Sequence, residues 1–132
     1  MTKRNEILNS LVEALGIIAP CFRNYRYLND VNDFPSICIG GTPLVDYTHY
    51  GAGQRLLTMQ QLIRGYVLTA EEDSIDDSEE LARLIEVAVD DFAKSVDGVY
   101  SARVTQISTD EGLLSPYGVC DVQIEISYEQ TN

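Results

Sequence analysis

Apolar residues recur at three- and four-residue steps in two parts of the chain, and this spacing predicts two amphipathic helices. The first helix is predicted from Lys3 to Ala19, where a proline follows. The second is predicted from Ser78 to about Ser95, ahead of an Asp-Gly pair. Asp77, with Glu80 three residues on, resembles a capping box at the start of this second helix.

Alternating apolar and polar positions predict strands in the remaining segments. The last strand has the strongest pattern, because apolar residues occupy every second position from Cys120 to Tyr128. The other predicted strands are Tyr25–Leu28, Ser36–Ile39, Arg55–Leu68 and Val99–Thr109. The order α-β-β-β-α-β-β predicts an α+β fold, with a mainly antiparallel sheet and two helices packed on one of its faces.

The segment from Gly40 to Gly53 departs from these patterns. It combines four glycines and a proline with Tyr47, His49 and Tyr50. Glycine and proline at this density interrupt regular structure, and a long irregular connection is uncommon unless it is functional or disordered. Tyrosine offers a partner a large apolar area at little rotamer cost. We therefore predict a glycine-rich arm at about residues 40–53 that orders only against a neighbouring molecule.

A second candidate contact region is the loop from Asp110 to Gly118, between the last two strands. It exposes Leu114 and Tyr117 unless another part of the protein covers them. Tyrosine and leucine at loop tips are typical of protein–protein contacts, although a monomer can also fold them back onto itself. The candidate interface residues of the two regions are Pro43, Leu44, Tyr47, His49, Tyr50, Arg55, Asp110, Glu111, Leu114 and Tyr117.

Length and charge narrow the class of protein. A chain of 132 residues is the usual size of a single domain, so we predict one domain over residues 1–132. Nine Lys and Arg against 21 Asp and Glu give a net charge of −12, which disfavours specific binding to nucleic acid or to anionic membranes. The sequence has no apolar run of about 18 residues that could span a membrane. The three cysteines, Cys21, Cys38 and Cys120, are predicted to be free thiols in a reducing compartment.

Candidate catalytic and ligand-binding chemistry is sparse. His49 is the only histidine, and no cysteine has a base beside it in the sequence. The acidic pairs Asp76-Asp77 and Asp90-Asp91 do not fit a calcium loop. The glycines lack the spacing and the lysine of a phosphate-binding loop. We therefore predict no catalytic residue, no cofactor and no metal site, and a protein that is not an enzyme.

The order of segments resembles the tail terminator proteins of long-tailed bacteriophages. The likeness is carried by the Phe34–Ile39 pattern, the Arg55–Val67 strand, the acidic start of the second helix, and the Asp-Glu-Gly and Pro-Tyr-Gly runs within Thr109–Gly118. It covers nearly the whole chain.

The resemblance implies a homo-oligomer, a hexameric ring in the tail or neck of a virion that is assembled in the host cytoplasm. Such a ring caps the tail tube protein, stops its polymerisation and docks the head-tail connector or adaptor protein. DNA passes through without specific binding, which agrees with the acidic charge. Two alternatives remain: a neck adaptor or head-to-tail completion protein, and a small-ligand-binding or enzymatic domain with a pocket near His49.

Overall fold

The computed structural model describes residues 3–23, 31–49, 54–68, 74–114 and 116–131. The described chain contains two helices, the first followed by three strands and the second by two. They are α1 (Lys3–Leu15), β1 (Cys21–Phe22), β2 (Ser36–His49), β3 (Gln54–Leu68), α2 (Ser74–Ser95), β4 (Val99–Thr109) and β5 (Tyr117–Thr131). The α+β class predicted from the sequence is confirmed.

The five strands form one sheet in the order β1-β2-β3-β5-β4. All neighbours are antiparallel except β1 and β2, which are parallel. The central strand β3 pairs with β5 along its whole length, from Gln54 opposite Thr131 to Leu68 opposite Tyr117. At about 3.3 Å per residue these two strands are roughly 45 Å long, and they form the frame of the molecule.

Both helices cover one face of this sheet, because the apolar sides of the helices and the inward side chains of the strands belong to one buried cluster. The helices contribute Ile7, Leu8, Leu11, Leu15, Leu81, Ala82, Ile85, Val89 and Phe92. The strands contribute Ile37, Ile39, Leu57, Met59, Ile63, Val67, Ala102, Cys120, Val122, Ile124, Ile126 and Tyr128. The alternation along β5 therefore predicts its buried side correctly.

The ends of both helices differ from the sequence prediction. Helix α1 ends at Leu15 instead of Ala19, and a turn follows in which the Ile18 N–H donates to the Leu15 carbonyl three residues back, at 3.0 Å. Helix α2 begins at Ser74, which places Asp77 inside its first turn. The predicted capping box is therefore wrong. The Glu80 carboxylate instead accepts two hydrogen bonds from Arg83, at 2.6 and 3.0 Å.

The glycine-rich segment forms a strand as far as His49. Strand β2 continues through it and pairs with β3 from Leu44 opposite Gln60 to His49 opposite Arg55, with one irregularity between Gly40 and Leu44. The prediction of irregular structure is therefore wrong for these residues. A backbone ladder to β3, which β5 holds on its other side, supplies hydrogen bonds that outweigh the weak strand propensity of glycine. Residues 50–53 lie outside the described chain.

The structure has a short strand that was not predicted from the sequence. Strand β1 comprises Cys21 and Phe22, which pair in parallel with Ile37 and Cys38. The predicted strand Tyr25–Leu28 falls in a range that the structure does not describe.

Candidate protein interface

The predicted interface residues separate into two groups along the sheet. Pro43, Leu44, Tyr47, His49 and Arg55 belong to β2 and β3, between the middle of the sheet and the β2–β3 hairpin. Tyr50 lies outside the described residues. Asp110, Glu111, Leu114 and Tyr117 lie in or beside the β4–β5 loop, at the opposite end of β3. The two ends are roughly 45 Å apart, so the structure does not bring the two groups together.

The described residues of the β4–β5 loop, 110–114 and 116, are tied to the sheet through Asp110. The carboxylate of this residue accepts hydrogen bonds from the backbone N–H groups of Leu114 and Val119, both at 3.0 Å. Its backbone carbonyl accepts a third from the Leu113 N–H at 3.1 Å. An aspartate that bonds nearby backbone groups fixes a turn. Asp110 thus supports the loop from within.

The turn itself is made by two consecutive residues with positive φ, Glu111 at 53° and Gly112 at 85°. Glycine adopts this conformation without steric cost, and the Glu111 N–H is tied to the Thr109 hydroxyl at 3.3 Å. The chain reverses here and leaves Leu113 with 88% of its surface exposed, twice the 45% of Leu114. Sequence reasoning singled out Leu114 and missed Leu113, because residue type and position within a loop do not show which of two adjacent leucines points outward.

Tyr117 is less available than the sequence suggested. It is only partly exposed, and its ring packs against that of Phe34 with centroids 5.6 Å apart. The segment before β2 therefore folds over the base of the loop. Tyr117 is thus partly covered by its own chain, which is one of the two possibilities that the sequence left open, whereas Leu113 is not covered.

The face of the sheet opposite the helices carries paired polar groups. Arg64 donates two hydrogen bonds to the Asp121 carboxylate, at 2.6 and 2.9 Å. The hydroxyls of Thr58 and Ser127 lie 3.2 Å apart on the neighbouring strand pair. Tyr66 is buried next to Arg64, and this burial raises the pKa of the phenol above its ordinary value. The face is polar, but its charges are engaged within the sheet.

None of the three cysteines forms a disulfide. Cys38 and Cys120 are buried and Cys21 is half-buried. Burial raises the pKa of both Cys21 and Cys120 to about 12. A group with so high a pKa supplies almost no thiolate, which is the nucleophilic form.

The described residues contain no group of three or more His, Cys, Asp or Glu side chains placed to hold a metal ion. Within the same ranges, no helix is long and apolar enough to cross a membrane. One buried polar atom stands out. Gln61 is buried on β3, and its Nε2 has no hydrogen-bond partner in the described part of the chain.

The described residues form an α+β fold with an exposed, hydrogen-bonded loop between β4 and β5. Residues 17–132 match the family described as Bacteriophage Tail Tube Terminator Protein, and the chain belongs to this family. It is therefore a structural protein of the phage virion, located in the tail or neck. The family resemblance seen in the sequence is confirmed.

A similar fold occurs in a chain from the virion of a native gene transfer agent particle. The TM-score is 0.61 at 9% sequence identity, and the match covers 94% of this chain and 92% of that one. No curated protein matches the sequence. At this level of identity the likeness concerns the fold alone.

Proposed function

We propose that the chain forms a ring that caps the finished tail tube, stops tube polymerisation and presents a docking surface to the head connector. The observation that carries this proposal is the separation of the two candidate contact regions, at opposite ends of β3. A terminator needs one end that matches the last tube ring and another end that does not accept a further tube subunit. A subunit with different surfaces at its two ends meets this requirement.

The edges of the sheet support a ring of identical subunits. Among the described strands, β4 forms one edge of the sheet. Strand β2 forms the other edge after Cys38, where its pairing with β1 ends. These two edge strands run antiparallel to each other. The β4 edge of one copy can therefore meet the β2 edge of the next by rotation alone, and a head-to-tail contact of this kind closes into a ring. The family resemblance favours six subunits.

The proposed role is mechanical and involves no catalysis or cofactor. The tail tube protein lies on one side of the ring and the connector or adaptor on the other. A charge of −12 per subunit repels phosphate, so DNA would pass through the ring without specific binding.

Electron microscopy of tails assembled without this protein tests the capping role. We expect tubes of uncontrolled, excess length. Tubes of normal length that fail to join heads would contradict capping and indicate a neck adaptor. Light scattering of the purified chain tests the ring separately. A stable monomer whose melting temperature rises with a small ligand would contradict the assembly and favour a pocket near His49.

A further inference from the structure

Exposed aliphatic side chains gather around the β4–β5 loop. Leu113 is 88% exposed, Leu68 50%, Leu114 45% and Ile107 42%. Leu68 lies opposite the first residue of β5 on the open side of the sheet, and Ile107 lies opposite Val122 on the helix side, so the four side chains flank the described loop residues 110–114 and 116 on both sides. Large exposed apolar side chains at one end of a charged protein typically mark an interaction site.

This apolar surface is rigid as well as exposed. The backbone on both sides of Leu113 is fixed by the hydrogen bonds to Asp110 described above. A side chain on a preformed loop loses little backbone entropy when it enters a partner, so it contributes more to affinity than the same residue on a mobile tip. Leu113 has the exposure and the support of an interface anchor.

The groove on the helix side of the loop is acidic. It has a volume of about 480 Å³ and is lined by Ile107, by the carboxylates of Glu79, Glu86 and Glu111, and by Arg83. The single guanidinium in this groove is already engaged by a carboxylate on the same helix. Negative charge therefore remains in excess beside the exposed apolar side chains.

The groove on the other side of the loop is less acidic. It has a volume of about 370 Å³, and Leu114, Tyr66 and Asp110 line it together with the Arg64–Asp121 ion pair. The surface thus consists of a projecting leucine with a less acidic groove on one side and a more acidic groove on the other.

We propose that this loop end docks into a different protein of the virion, one that offers an apolar socket bordered by Lys or Arg on one side. Leu113 fills the socket, and the basic residues face Glu79, Glu86 and Glu111. A second copy of this chain lacks the required chemistry, since it carries only nine basic residues against 21 acidic ones. Lys94, in the last turn of α2 at the opposite end, lies within four residues of Asp90, Asp91 and Asp97 in the sequence. The proposal rests on the virion role but not on tube capping.

The test uses the full chain on a surface, with purified tail tubes and purified head particles bearing their connectors as two separate probes. We expect one probe to bind, Leu113→Ser to weaken its binding roughly tenfold or more, and Glu111→Lys to weaken it at low salt. High salt should weaken binding of the wild-type chain. Val87→Ser removes a 46% exposed apolar side chain from the outer face of α2, and it is the matched control that leaves binding unchanged.

Three outcomes would overturn the proposal. The wild-type chain could bind neither probe, or Leu113→Ser could bind like the wild type at an unchanged melting temperature. Alternatively, Leu113→Ser could leave probe binding intact and break an oligomer in light scattering, in which case the loop end joins copies of this chain. The length of tails assembled with each variant is scored independently, so a failure of docking with normal tail length remains distinguishable from a failure of capping.

Discussion

The two faces of the sheet are built from alternate residues of the same strands, yet they differ in almost every physical respect. On β3, Met59 and Ile63 face the helices and are fully buried. Their neighbours Thr58 and Arg64 face the other way and bond to polar residues of β5. The covered face derives its stability from apolar area removed from water, whereas the open face has hydrogen-bonded pairs with modest net contributions.

This difference predicts unequal effects on stability. Substitutions on the covered face act on the free energy of unfolding, because both helices pack on it. Substitutions on the open face leave that core intact, so we expect them to change the free energy of unfolding much less. Each of the following measurements compares the two faces.

The largest effect is expected from Ile124→Asp. Ile124 is 1% exposed in the middle of β5, so a carboxylate there would be buried without a partner. We expect a loss of about 4 kcal/mol or more in the free energy of unfolding, measured by chemical denaturation. The matched control is Gln123→Asp, which places the same charge on the exposed side of the next position and should cost within about 0.5 kcal/mol. Equal losses would show that the two faces are not distinct.

Gly65→Ala tests the closeness of α2 to the covered face. A Cβ at this position would lie 2.5 Å from Leu81 Cδ2 and 2.9 Å from Cys120 Sγ, and both residues are buried. Overpacking of this kind costs about 1–3 kcal/mol. Denaturant unfolding should show a lower midpoint at an unchanged slope. An unchanged midpoint would mean that the helix moves freely over the sheet.

The thiol of Cys120 makes the covered face sensitive to alkali. Burial raises its pKa to about 12 in the folded chain, from 9.0 for an exposed thiol. Its contribution is therefore fully present below pH 9 and is lost as the pH rises toward 12, by at most about 1.4 kcal/mol per pH unit. Melting temperatures between pH 8 and 11 should fall less steeply for Cys120→Ala than for the wild type. Parallel curves would count against this role.

Gln61 is the exception on the covered face, and its replacement should stabilise the protein. The buried Nε2 has no partner among the described side chains and backbone. Gln61→Leu has nearly the same size and removes the unsatisfied donor, so we expect a gain of about 1 kcal/mol, seen as a higher melting temperature. Gln60→Leu, on the exposed side of the adjacent position, is the control and should change little. A loss of stability would indicate a bound water or a partner at Gln61.

The smallest effect is expected on the open face, from Arg64→Met. This change breaks the ion pair with Asp121, whose side chain is 27% exposed and can still be hydrated. We expect a loss of about 1 kcal/mol or less. The double variant with Asp121→Asn measures the coupling between the two residues. A loss as large as that of Ile124→Asp would place the open face among the determinants of the fold.

The sequence by itself determined the parts of this protein that depend on local periodicity and composition. The apolar residues of α2 and of β5 each predict which side of the element is buried. They do so because a helix repeats every 3.6 residues and a strand every 2, and both periods are properties of the element itself. The net charge of −12 disfavoured specific nucleic-acid binding, and the resemblance carried by the order of segments implied a protein of the phage tail. None of these required knowledge of which elements are neighbours.

Only the tertiary structure decided how the ambiguous segments resolve. Gly40–His49 is a strand because β3 offers it a hydrogen-bonded edge, and no local pattern contains that edge. Asp110 supports a loop instead of a partner because Val119, nine residues away, returns to meet its carboxylate. Leu113 is exposed, and Tyr117 partly covered by Phe34, for the same reason. Exposure in a loop is set by contacts between residues that are distant in sequence, and those contacts exist only once the sheet has formed.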